Sequence, residues 1–452
     1  MYIKKYYGLF LPPRSLLKTV AVTEIGVKML PLWRSAPSVS RGLSCRTSPV
    51  KRLYAYAASP LSEPLEDLQA GTAEGVELSP QSVQGNADWS GFRIARELEH
   101  NGASLEATCN REQLIFSSDC LRDNLGLVIE HLANSVNKPA FNRWELEGIV
   151  NRLKLDLAVR DTQPQINVVE ELHRVAFRKT LGNSLYCLPH RTGKFTSDVL
   201  IDFTKKCYVG QRMAIVGVGV DHSQLVDLAK AAFSFLPEGE PVPKEATKYH
   251  GGEVMNFRSG PLVHAVLATE GARLGSKDHL AFSVYQKVLG ATPSIKWGSN
   301  MASNRLLKAA AAESADGAFS ASAFNASYSD GGLFGFYVAA EPSNVSKVMK
   351  SVVGQFSKAS KGDISDQDIT RAKNQTKAHL LMHSESQDTL VEDIGSQLLT
   401  KGSYTSPQEV AAAVDSITKT DILTVAKRVF SGKPSLSAAG DVSTMPGLDE
   451  LF

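Results

Sequence analysis

Apolar residues recur at steps of three and four over 121–135, where Leu125, Val128, Ile129 and Leu132 share one face. The same spacing returns over 344–358 with Val345, Val348, Val352 and Phe356. Each pattern predicts an amphipathic helix. Further helices are predicted over about 141–160 and 364–383. Ser197-Asp198-Val199-Leu200 and Thr420-Asp421-Ile422-Leu423 each open a helix on a hydroxyl N-cap, run to an aromatic (Tyr208; Phe430) and lead into a small-residue strand. Those strands end at Gly217 and Gly440, and the pairs Ser197/Thr420, Asp198/Asp421 and Gly217/Gly440 share an offset of 223. Strand hairpins are predicted at 104–116 and 319–338. The chain is therefore an internal duplication of a hairpin–helix–helix–helix–strand unit.

The second copy opens with a strand at 262–269 and a helix at 277–289. The offset places their counterparts at 39–46 and 54–66, which read as neither. The first copy is thus expected to lack its opening half. The proline-rich run Leu236-Pro237-Glu238-Gly239-Glu240-Pro241-Val242-Pro243-Lys244 suits a hinge between the copies. Five regions follow: 1–54, a basic leader with an upstream extension; 55–90, an acidic disordered segment; 91–235, a truncated first domain; 236–250, a linker; 251–452, a second domain. On this division 251–452 should bury a core alone and 91–235 should be marginal without a partner.

Charge sharpens the N-terminal boundary. Ten of the 49 Lys/Arg but one of the 47 Asp/Glu lie in 1–54, so the rest carries a net charge of −7 (39 against 46). A mildly acidic body excludes a broad nucleic-acid footprint. No apolar run approaches the ~18 residues of a spanning helix. The five cysteines, Cys45, Cys109, Cys120, Cys187 and Cys207, form no Cys-x-x-Cys pair, which argues for reduced thiols rather than a disulfide frame or zinc ribbon. Residues 29–62 hold Arg34, Arg41, Arg46, Lys51 and Arg52, seven serines and no acid, the composition of a mitochondrial presequence. Arg52-Leu53-Tyr54-Ala55 is similar to the matrix-processing pattern, Arg-x-Tyr before a small residue. Cleavage is expected between Tyr54 and Ala55, with Arg52 as the recognised cation.

Several longer strings resemble one family. They are Ser322-Ala323-Phe324-Asn325-Ala326-Ser327-Tyr328-Ser329-Asp330, Gly332-Leu333-Phe334-Gly335, Asn183-Ser184-Leu185-Tyr186-Cys187, Tyr249-His250-Gly251-Gly252-Glu253 and Val391-Glu392-Asp393-Ile394-Gly395-Ser396-Gln397. With the duplicated unit, they resemble the mitochondrial processing peptidase/pitrilysin family over about 90–452. The likeness is closest to its non-catalytic members, the core subunits of ubiquinol–cytochrome c reductase (respiratory complex III). The resemblance implies an α+β fold of two homologous processing-peptidase-like domains, each a sheet packed against helices, the first incomplete. It implies a scaffold subunit on the matrix side of the inner membrane, peripheral and without cofactor. Its partners would be core protein 1, cytochrome b, cytochrome c1 and the Rieske protein. The rival reading is a zinc-dependent processing peptidase subunit that cleaves presequences.

Active members of the family hold zinc with His-x-x-Glu-His in the first copy and a further Glu well downstream; that spacing sets two imidazoles one helical turn apart. This sequence has no such motif. Its echo, Arg96-Glu97-Leu98-Glu99-His100, puts a cation in the first-ligand place and reads as an exposed helix end before Asn101-Gly102. His379 and His383 are an i, i+4 pair, with Met382 where a general base would stand and Glu385 past the expected helix end. They read as histidines of a last helical turn, favoured by the dipole. Glu170 and Glu171 lie where a third ligand would be sought and read as helix-surface acids. Gly217-Val218-Gly219 lacks the last glycine of a dinucleotide loop and reads as a tight strand exit. Lys296 and Trp297, in 291–298, stand where the peptidase's substrate-gripping partner has a glycine-rich loop, and read as surface or interface residues. No catalytic, cofactor or metal residue is assigned.

Overall fold

The computed structural model describes residues 50–58, 85–234, 236, 245–291, 304–314 and 317–452. Most of the hinge (237–244) and Lys296 and Trp297 lie outside the described residues. So do 1–49 and 59–84, which hold most of the expected leader and acidic segment.

Two sheets form the centre of the molecule. The first has four strands, β1 (Val50–Ala58), β2 (Glu106–Cys109), β3 (Gln113–Leu121) and β4 (Met213–Gly217), in the order β2-β3-β1-β4. The second has β5 (Gly252–Phe257), β6 (Val263–Glu270), β7 (Phe319–Ser327), β8 (Gly332–Ala340) and β9 (Ser435–Gly440), in the order β5-β9-β6-β8-β7. All ladders are antiparallel except β5–β9.

The helices of the first repeat are α1 (Gly91–His100), α2 (Leu125–Asn137), α3 (Arg143–Thr162), α4 (Pro164–Phe177), α5 (Ser197–Cys207) and α6 (His222–Ala232). Those of the second are α7 (Lys277–Leu289), α8 (Arg305–Glu313), α9 (Val345–Ser360), α10 (Asp366–Glu385), α11 (Gln387–Lys401), α12 (Pro407–Ser416), α13 (Lys419–Ser431) and α14 (Leu448–Leu451). The duplication therefore stands, with small corrections at the caps. The second N-cap is Thr418, which forms a capping box with Asp421, rather than Thr420. In the first copy Thr196 holds the cap position, and the Ser197 hydroxyl donates to the Phe141 carbonyl instead. α10 runs to Glu385, so that residue lies within the helix.

The first copy is shortened, but less than its pattern implied. The strand place that β6 fills between β8 and β9 is filled between β3 and β4 by β1. This strand straddles the expected boundary at residue 54 and takes 55–58 out of the acidic segment. Among the described residues no helix of the first repeat corresponds to α7.

The strands alternate between two buried faces. In the first sheet Met213 and Ile215 meet Val128, Ile129 and Leu132 of α2. On the other side, Ile115, Ala214 and Val216 meet Val391 and Ile394 of α11, a helix of the second repeat. In the second sheet Val263, Ala265 and Leu267 face the helices of their own repeat, with Phe282, Tyr285, Val352 and Phe356. Val266, Ala268 and Ala439 face Val168, Leu172, Ala176 and Phe177 of α4, a helix of the first. Each repeat thus lends one helix to the far side of the other's sheet. Burial on both faces explains why the last strands read as short apolar, small-residue runs: every residue of β4 and β9 is buried. The second repeat holds a large core of its own, from Val263 to Met445, and its sheet has a further face that α4 covers.

Gly335 shows how tightly β8 lies on β6. A Cβ there would stand 1.9 Å from the Leu267 carbonyl oxygen and 2.6 Å from the Ala268 Cα. Gly335→Ala is expected to force the strands apart at about 1–3 kcal/mol, seen as a lower denaturant midpoint at constant slope.

Candidate functional site at the junction of the repeats

The strings that carry the family resemblance converge where the repeats meet. The β2–β3 turn carries Arg111 and Glu112, α4 carries Glu170 and His173, and the β7–β8 turn carries Tyr328, Ser329 and Asp330. Arg111 forms a buried ion pair with Glu170, their side chains being 6% and 11% exposed. It also donates to the carbonyls of Asn183 (2.6 Å) and Leu181 (3.3 Å). The Glu170 carboxylate accepts from the Ser184 hydroxyl (3.0 Å) and the Leu185 N–H (3.1 Å). A charge so buried is tolerable only with partners of this kind.

A second set of bonds crosses directly between repeats. His173 Nδ1 donates to the Val169 carbonyl at 2.8 Å, so Nε2 is the acceptor for the Tyr328 hydroxyl at 2.6 Å. Burial, reinforced by the Arg111 charge, holds His173 well below the usual imidazole range, which keeps it neutral in this role. Burial likewise pushes the Tyr328 phenol up to about 12, so it remains a donor. The Glu112 carboxylate accepts from the Ser329 N–H (2.8 Å) and hydroxyl (2.5 Å). Asp330 accepts from the Thr247 N–H (3.0 Å) at the entry to the second repeat. Tyr249 packs edge-on against Phe177 of α4 and reaches the Ser435 hydroxyl at 2.7 Å. These side chains are donors and acceptors already satisfied by one another. The arrangement is chemically a latch; it presents no free nucleophile or base.

The residues weighed as metal ligands are scattered. Arg96 and His100 are exposed at the end of α1, before the Asn101 cap and Gly102 at φ +61°. His379 and His383 sit on α10 with ring centroids 4.1 Å apart, beside exposed Met382. They border a cleft of about 670 Å³ shared with Lys287 and Lys401. Partial burial, together with Lys287 and His383, holds His379 below its usual range. Glu171 is paired with Arg174 on the surface, as expected. Glu170 is not a surface acid, since Arg111 and the 183–185 turn enclose it; sequence spacing could not show an ion pair between residues 59 positions apart. Gly217 ends β4, and Gly219 follows at φ +82°, the tight exit expected. Among the described residues no group of three or more His, Cys, Asp or Glu is placed to hold a metal ion, and the four described cysteines are free thiols.

The chain is expected to bind no stoichiometric zinc when purified and analysed for metal. About one tightly held zinc per chain, lost in His379→Ala or His100→Ala, would reverse that reading.

Comparison with known proteins agrees with the geometry. Residues 81–188 match the family described as insulinase (peptidase family M16), and 194–376 match the peptidase M16 inactive domain. The chain is 39% identical over 362 residues to cytochrome b-c1 complex subunit 2, mitochondrial, of Homo sapiens, covering 80% of this chain and 79% of that protein. It is 38% identical to the Rattus norvegicus protein of the same name over the same shares. Mitochondrial-processing peptidase subunit alpha of Solanum tuberosum is more distant, at 28% identity over 83% of this chain and 75% of that protein. The chain belongs to the peptidase M16 family, on its cytochrome b-c1 complex subunit 2 branch.

Proposed function

We propose that this chain is a non-catalytic core scaffold subunit of respiratory complex III, needed for assembly and stability of ubiquinol–cytochrome c reductase. The observation that carries the reading is the junction: the most family-like strings of both repeats are spent on holding the two sheets together. The 39% identity to a cytochrome b-c1 complex subunit over four-fifths of the chain supports it. So does the inactive-domain match across 194–376.

The finer placement belongs to the same proposal. The chain sits on the matrix side of the inner membrane, paired with core protein 1 and assembled with cytochrome b, cytochrome c1 and the Rieske protein. Among the described residues no helix is long and apolar enough to cross a membrane, which suits a peripheral position. The Arg- and Ser-rich, acid-free N-terminal composition suits import. The peptidase reading, a presequence-cleaving zinc subunit, draws on likenesses of 28–29% and lacks the His-x-x-Glu-His donor set.

Blue-native electrophoresis of mitochondria carrying a tagged chain tests the assignment. The tag is expected to migrate with complex III, to be released by alkaline carbonate, and to resist protease in intact mitoplasts. Depletion is expected to remove assembled complex III while presequence cleavage continues. Migration with a soluble peptidase heterodimer, together with accumulation of uncleaved precursors on depletion, would establish the rival.

A further inference from the structure

The segment that reads as the end of a removable leader is also the strand between β3 and β4. Val50–Ala58 pairs along its whole length with Leu121–Gln113, and Leu53–Ala57 pairs with Gly217–Met213. It fills the same strand place as β6: Ala55 lies between Phe116 and Ile215, as Ala265 lies between Val338 and Ala438.

Cleavage between Tyr54 and Ala55 would remove the ladder partners of Leu121–Ser117 on β3 and of Gly217 and Val216 on β4. Ser117, Ser118, Asp119 and Cys120 are all buried, with α2 packed on one face of this sheet and α11 on the other. Their backbone groups would lose these ladder bonds and leave an unpaired slot in the middle of the sheet. Arg52, the cation expected to guide cleavage, occupies the register position opposite Asp119, which is 5% exposed.

We propose that maturation spares residues 50–58: the leader is cut N-terminal to Val50, and the mature chain keeps β1 as the central strand of its first sheet. Arg52 is then retained in the mature strand, and the processing signal lies among the upstream arginines. The cut itself rests on the matrix reading above; the requirement for the strand does not.

Import of the radiolabelled full-length chain into isolated mitochondria, followed by N-terminal sequencing, tests the cut. The mature product is expected to begin at or before Val50; a product beginning at Ala55 overturns the proposal. Arg52→Ala is expected to leave the cut where it is, and a block to processing in that variant also counts against the proposal. Two purified chains, starting at Val50 and at Ala55, test the strand without import. Protease is expected to clear the 85–234 region of the Ala55 chain about tenfold faster, as the open population rises. Equal resistance of the two chains overturns the proposal. Failure of import would instead remove the matrix reading, and the paired chains would still decide whether the strand is needed.

Discussion

Arg111→Met is expected to cost the full chain about 3–5 kcal/mol, because it strands the Glu170 carboxylate in a site that water does not reach. Glu170 would keep its bonds from Ser184 and Leu185, but no cation would balance it. The Asn183 and Leu181 carbonyls would lose their donor in the same step. Removing the charge as well, in Arg111→Met with Glu170→Gln, is expected to recover more than half of the loss. The amide oxygen can still accept from the 184–185 turn without a desolvated charge. Equilibrium denaturation of the four chains of this cycle measures the coupling directly. A single-variant loss below about 1 kcal/mol, the range of an exposed ion pair, would show that the pair does not hold the repeats together. With a whole-protein stability of about 5–15 kcal/mol, the expected loss is large enough to lower the amount of folded subunit in mitochondria.

Separating the repeats is expected to be more damaging still. Residues 251–452 alone would expose Val266, Ala268, Leu333 and Ala439, which α4 covers with Val168, Leu172, Ala176 and Phe177. Each large apolar side chain lost from such a face withdraws about 1.5–3 kcal/mol. The α11 helix, in turn, would carry Val391 and Ile394 into water with no first sheet to cover. The isolated fragment is therefore expected to aggregate or to bind a hydrophobic dye. A full chain nicked by protease within 237–244 is expected to elute as one particle until denaturant separates the pieces. A monomeric 251–452 with a cooperative transition matching the intact chain would refute the exchange of helices as a source of stability.

The two predictions rest on features of different legibility. The duplication, the order of elements and the boundaries of α7 could be read from apolar spacing, because helix and strand periods are local properties of the chain. Tight strand exits at Gly217–Gly219 and the exposed end of α1 were legible for the same reason. The cap of α13 is two residues earlier than the sequence pattern suggests, since Thr418 and Thr420 are both hydroxyls three or fewer positions from Asp421 and only backbone geometry chooses between them. Glu170 reads as a surface acid because its neighbours in sequence are ordinary for a helix. Nothing near it announces Arg111 or the 183–185 turn, both far along the chain.

Sequence by itself determined that this is a twofold α+β chain with a basic leader composition, without a His-x-x-Glu-His zinc motif and with the strings of the M16 family. Those conclusions follow from residue type and local period. Tertiary structure alone decided which helix covers which sheet, that the family strings form an interdomain latch, and that Val50–Ala58 takes the central strand place. A strand's partners are set by which unpaired ladder edges lie within reach and by the register that buries both faces. Neither is written in the strand's own residues, so a stretch with a leader's composition can also complete a sheet.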